Sequence, residues 1–202
     1  MSVPMALFDF VPVFLFLVSA VILQRELYGM MSKGAFALFS SGTIMVVVAG
    51  VTKALWKLLY ALNVCDFERL NQMFFPLQTC GFLLAGISMI ALLFFRQDEG
   101  KTKLSAAAAV PAVYSGTMLF VVLMILGVLG LCGGLAVIAA RKKKTAACVL
   151  FVFAFFMLLG MGYLSSKDFS NPSMNWVAEG VNTVAQLSFL SASCMIHKKA
   201  EA

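Results

Sequence analysis

The chain reads as an all-α, polytopic integral membrane bundle of about six helices, and three features of the sequence predict that class. Hydrophobic residues fill 62% of its 202 positions and charged residues only 12%, about half the charged share of a soluble domain. Apolar runs of near-bilayer length recur from one end of the chain to the other. The stretches between them are too short to hold a separate soluble domain, so residues 1–202 form a single transmembrane helical domain.

The first span covers Phe8–Leu23. No basic residue precedes it, and Gln24-Arg25-Glu26 follows where a cleavable leader would carry small residues, so the run is expected to stay as a helix. Pro12 inside it can kink the helix and free backbone carbonyls. Ala35–Leu62 is the second span, long enough to tilt or to project beyond the lipid. Phe74–Phe95 is the third, with Pro76 near its start and a small-residue face of Gly81, Ala85 and Ser88. The fourth, Val113–Ala140, follows Pro111 and carries Gly127, Gly130 and Gly134. Small faces of this kind let helices approach closely within one chain or across a dimer seam. Ala146–Leu164 and Trp176–Met195 complete the set. No carboxyl-terminal lipidation box is present.

Short loops predict that consecutive helices are antiparallel neighbours, which puts both termini on one side of the membrane. That side then holds Arg69, Arg141, Lys142, Lys143, Lys144, Lys198 and Lys199. The other holds Arg25, Lys33, Arg96, Lys101, Lys103 and Lys167. This is nearly a draw. The compact Arg141–Lys144 cluster tips the expectation toward cytoplasmic termini, and the near-balance also admits dual insertion as an antiparallel dimer. Trp56 and Tyr60 mark one interface, and Tyr28, Tyr114, Tyr163 and Trp176 the other. Three plus three spans invite comparison as an inverted repeat. Its support is slight: Asp66-Phe67 echoes Asp168-Phe169, and Met89-Ile90 echoes Met195-Ile196.

The net charge of +6 would suggest nucleic acid in a soluble protein, but here the basic residues sit in loops beside headgroups, so no nucleic-acid partner is expected. Five cysteines form no CxxC pair and the single histidine is His197, which gives no metal signature. There is no nucleotide-binding glycine loop and no HExxH or GxSxG, so no cofactor is indicated and an enzyme is disfavoured.

Polar residues at bilayer depth are the candidates for function, because lipid cannot satisfy them. Asn175, Glu179, Asn182, Gln186 and Ser193 share one face of the last span at helical spacing. Lys53 lies within the second span, where a lysine costs about 2.5–3.5 kcal/mol to insert unless it finds water, a partner or a route to the headgroups. With strictly alternating spans, Lys53 and Glu179 lie on opposite sides of the midplane, about 16 Å apart in depth. That separation excludes a direct bridge, pairs Glu179 with Arg25, and leaves Asp9 or Asp66 for Lys57. Gln78 and Gln186 share the depth of Lys53.

The leading expectation is therefore a protein that binds or translocates a small polar solute or ion at a site lined by Lys53, Gln78, Asn182 and Gln186. Glu179 would act as a gate or proton-coupling group from the opposite side. A second expectation is a sensor, accessory or assembly subunit that docks a membrane partner, or a second copy, through its small-residue faces. An intramembrane lipid-modifying enzyme is the third.

Overall fold

A computed structural model describes residues 3–94, 117–164 and 172–197, and every described element is helical. The helices are α1 (Val3–Phe8), α2 (Phe10–Leu27), α3 (Lys33–Ala61), α4 (Glu68–Phe94), α5 (Thr117–Arg141), α6 (Thr145–Leu164) and α7 (Pro172–His197). Among the described residues, four stretches are long and apolar enough to cross a membrane: Val3–Leu27, Lys33–Ala61, Glu68–Phe94 and Leu119–Arg141. The apolar part of α6, Thr145–Met161, is shorter.

Local chemistry explains the breaks. Pro12 has no N–H to offer the Phe8 carbonyl and its ring crowds that oxygen, so the first span turns at Asp9 and divides into α1 and α2. Ser32 caps α3, its Oγ accepting from the Ala35 N–H at 3.3 Å. At the far end of α3, Asn63 adopts a φ of 54°. The Val64 and Asn63 N–H groups then donate to the Leu59 and Tyr60 carbonyls at 3.1 Å each, closing a Schellman turn. Lys143 repeats this after α5 with a φ of 57°, and the Lys144 and Lys143 N–H groups reach Ala139 and Ala140 at 2.9 Å. That tight turn delivers the chain straight into α6.

The long helices form a closed ring in chain order, each of α2 to α7 packing on its two neighbours, with α7 returning to α2. Their directions are not the alternating ones that the short loops suggested. Between α4 and α5, Thr79 meets Phe120, Gly86 meets Gly127 and Met89 meets Gly134. Contacts that advance together along both chains define a parallel pair. The α2–α7 pair is also parallel: Phe8 lies beside Trp176, Phe16 beside Phe189, and Glu26 beside His197. Glu26 also pairs with Lys142, just past α5.

One end of the bundle, the Asp9 end, thus holds the starts of α2, α4, α5 and α7 and the ends of α3 and α6. The Glu26 end holds the opposite termini of each. The end of α4 and the start of α5 thus lie at opposite ends of the bundle.

Four expectations are corrected by this arrangement. Trp176 shares an end with Trp56 and Tyr60, and not with Tyr28. Consecutive helices are not all antiparallel, because α4 and α5 run the same way. Val3 and His197 lie at opposite ends rather than on one side. The two triplets of spans also start from the same end, so their directions do not invert, and the repeat's Asp168-Phe169 lies outside the described residues. So do Pro111, Tyr114 and the loop cations Arg96, Lys101, Lys103, Lys167, Lys198 and Lys199, and nothing is described of the Tyr163 side chain.

Glycine makes the close contacts. A Cβ on Gly42 would stand 2.6 Å from the Gly81 carbonyl oxygen and 2.7 Å from the Ala85 nitrogen, so α3 and α4 touch backbone to backbone. A Cβ on Gly127 would stand 2.6 Å from the Leu83 nitrogen, and Gly86, Gly130 and Gly134 continue that α4–α5 seam. Gly81, Ala85, Gly127, Gly130 and Gly134 are therefore consumed inside the chain, which leaves the docking expectation without these faces as its surface. The half of the ring toward the Glu26 end is filled by apolar side chains, among them Leu23, Leu27, Phe39, Met89, Leu135 and Phe151.

Candidate functional site

The other half of the ring is hollow. A cavity of about 480 Å³ lies between the helices, within the usual size of small-molecule sites, and all six long helices contribute to its wall. Lys53 from α3, Gln78 from α4, and Glu179, Asn182 and Gln186 from α7 all line it. These residues come from three helices, α3 and α4 consecutive in the chain and α7 remote from both. Asp9, at the break between α1 and α2, joins them.

The groups are arranged in tiers, because α3 and α7 run antiparallel and rise about 1.5 Å per residue. At the Asp9 end, the buried Lys57 Nζ bridges two buried carboxylates: it pairs with Asp9 Oδ2 and donates to Glu179 Oε1 at 2.9 Å. About one turn deeper come Lys53 and Asn182, followed by Gln78 and Gln186. Lys53 Nζ sits over the Phe74 ring, 4.1 Å from its centroid, a cation–π contact of about 0.5–2 kcal/mol depending on its desolvation. Among the described residues no carboxylate comes within ion-pair distance of it. Below these tiers the cavity ends on packed rings. Phe16 lies 6.1 Å from Phe82 and 5.8 Å from Phe189, which in turn lies 5.3 Å from Phe151. The floor is aromatic and the rim is ionic.

Of the residues that line the cavity, Asp9 and Gln186 each keep one buried side-chain oxygen, Oδ1 and Oε1, with no hydrogen-bond partner among the described residues. Both residues are buried. An unsatisfied buried acceptor costs about 1–3 kcal/mol.

Several sequence-based placements change. Glu179 does not meet Arg25, which lies at the other end of the bundle. It shares the depth of Lys57, because α7 starts at the Asp9 end. A role for Glu179 from the side opposite Lys53 is thereby corrected: both line the same cavity. Asp66 does not take Lys57 either; it accepts from Trp56 Nε1 at 3.1 Å. Ser193 of the polar stripe returns its hydroxyl to its own helix, donating to the Phe189 carbonyl at 2.7 Å, and stays out of the cavity.

The sequence reading missed Asp9 as a site residue, and the aromatic floor altogether. A carboxylate three residues before a proline at the start of an apolar helix was a signal for the first. Nothing in the pattern distinguished Phe16, Phe82 and Phe189 from the other phenylalanines.

At the Glu26 end a second ionic group ties α2, α5 and α7. Glu26 pairs with Lys142 through Oε1 and lies 3.1 Å from His197 Nδ1 through Oε2. Lys144 Nζ donates to the Met195 and Ile196 carbonyls at 2.6 and 3.2 Å, a cation on the last turn of α7 where the helix dipole favours it. Among the described residues no group of three or more His, Cys, Asp or Glu side chains is placed to hold a metal. Comparison with family models, curated proteins and solved structures finds no match.

Proposed function

We propose that this chain is a six-span membrane protein that binds a small polar solute in the cavity between its helices. The observation that carries this reading is the convergence of Lys53, Gln78, Asn182, Gln186 and Glu179 on one cavity, with two buried acceptors left unpaired. Polar side chains that served only to join helices would satisfy one another, as Gln24 and Thr43 do at 3.0 Å.

The helix directions also support one orientation over the other. Among the described loop and helix-end cations, Arg25, Lys33, Arg141, Lys142, Lys143 and Lys144 belong to the Glu26 end, and Arg69 to the Asp9 end. A bias of that size favours a cytoplasmic Glu26 end. The Val3 end and the cavity then face outward, so the solute enters from the non-cytoplasmic side. Binding is the first step of translocation. Passage through the protein would require the aromatic floor and the packed half beyond it to separate, as alternating-access proteins do around a fixed site.

The test is thermal unfolding of the purified chain in nanodiscs against a panel of small polar solutes. At least one solute class raises the melting temperature of the wild type in a saturable way, and Asn182→Ala and Gln186→Leu lose that response. The reading fails if no solute shifts the transition.

A further inference from the structure

We propose that the solute is a zwitterion: a small molecule with an ammonium and a carboxylate close together on an otherwise uncharged body, the class to which the neutral α-amino acids belong. This rests on the binding reading above and names the chemistry of the same site.

Charge is separated along the cavity wall. Lys57 is shared between Asp9 and Glu179, so the rim holds two carboxyl groups and one ammonium, a surplus negative charge when all three are ionised. The balancing cation is Lys53, one turn deeper, held over a ring face instead of against a carboxylate. The wall therefore presents a negative pole and a positive pole about one helical turn apart, in a place where charges are poorly screened. Asp9 is only 6% exposed and its Oδ1 has no hydrogen-bond partner among the described residues, so its charge is only partly compensated by Lys57.

A zwitterion answers both poles at once, its ammonium turned to the Asp9 and Glu179 carboxylates and its carboxylate accepting from Lys53 Nζ. A simple cation or anion would satisfy one pole and leave net charge in a low-dielectric site, which is costly. Deeper than Lys53 the described lining carries no further charge. It offers the amides of Gln78, Asn182 and Gln186, with Gln186 Oε1 unpaired in a residue 7% exposed, and then apolar walls. That half suits a neutral body, polar or apolar.

The experiment uses the full chain in nanodiscs with five probes: L-phenylalanine, L-leucine, L-glutamine, 2-phenylethylamine and 3-phenylpropionate. The last two keep the ring of phenylalanine but lack its carboxylate or its amine. The expected result is a saturable rise in melting temperature with one or more of the amino acids and none with the two analogues at equal concentration. Lys53→Met, which breaks no ion pair, should melt close to the wild type and bind the effective amino acid at least about tenfold more weakly, a change of about 1.4 kcal/mol. Asp9→Asn tests the other pole if it folds.

Binding of 3-phenylpropionate or 2-phenylethylamine as tight as that of phenylalanine overturns the zwitterion, because one charge then suffices. Unchanged binding in Lys53→Met overturns it too. If no amino acid acts but another solute class does, the zwitterion falls and the binding site stands. If nothing in either panel acts, both fall.

Discussion

Lys57 is the residue whose environment differs most from what its position in the sequence suggests. It sits in the last two turns of an apolar helix, where a lysine can reach the headgroups along its own stem. In the fold it turns inward and is shared by Asp9 and Glu179, all three buried. Removing the shared cation would leave two carboxylates facing each other without compensation. Lys57→Met is therefore expected to destabilise the bundle by about 3–5 kcal/mol, the usual cost of orphaning a buried charge. Glu179→Gln leaves Asp9 to hold the lysine and should cost clearly less. Denaturant unfolding in mixed micelles measures both, and equal losses would contradict the shared-lysine account. From the sequence, Lys53, Asn182, Gln186 and Gln78 were legible as polar groups at bilayer depth. The partner of Glu179 was not, because its depth was calculated from a direction of α7 that assumed alternation.

Among the elements, the helices were the most legible part of the molecule, since apolar runs of bilayer length admit few other structures. The glycine faces were legible as packing faces as well. What the sequence lacked was the identity of their partners: Gly81 could have met any small residue, and it meets Gly42. The α4–α5 seam gives a sharp comparison. A Cβ at Gly127 would stand 2.6 Å from both the Leu83 nitrogen and the Phe82 carbonyl carbon, backbone atoms that cannot move aside alone. Gly127→Ala should force the helices apart and cost about 1–3 kcal/mol, as overpacking does. At Gly133, in the same helix, an added Cβ meets nothing within 4 Å. Gly133→Ala should leave stability unchanged or raise it by up to about 1 kcal/mol through helix propensity. Similar melting of the two variants would mean that the seam is not where the backbone contacts place it.

For the whole molecule, the orientation and the site proposed both rest on the ring and its directions, and this was the least legible level. Loop charges alone gave nearly a draw because α5 and its Arg141–Lys144 turn were assigned to the wrong end. With α4 and α5 parallel, that cluster joins Arg25 and Lys33, and the described cations become strongly one-sided. Two loops separate the two topologies. Strict alternation puts Cys65 and the 142–144 turn on the same side of the membrane, whereas the ring puts them on opposite sides. In vesicles of known orientation, an impermeant thiol reagent should reach Cys65 from one face and Lys143→Cys from the other. Labelling of both from a single face would restore the alternating arrangement and remove the orientation proposed here.

The most direct measurement concerns the cavity itself, because the function proposed depends on Asn182 and its neighbours facing a wet space instead of one another. In a chain whose five native cysteines are replaced, Asn182→Cys can be challenged with a small charged thiol reagent, with Val184→Cys, which points outward at 44% exposure, as the lipid-facing control. The account predicts fast modification of position 182 from the non-cytoplasmic side and little at position 184. A cysteine at 182 that no aqueous reagent reaches from either side would contradict it, and would leave the polar face of α7 as a device for joining helices.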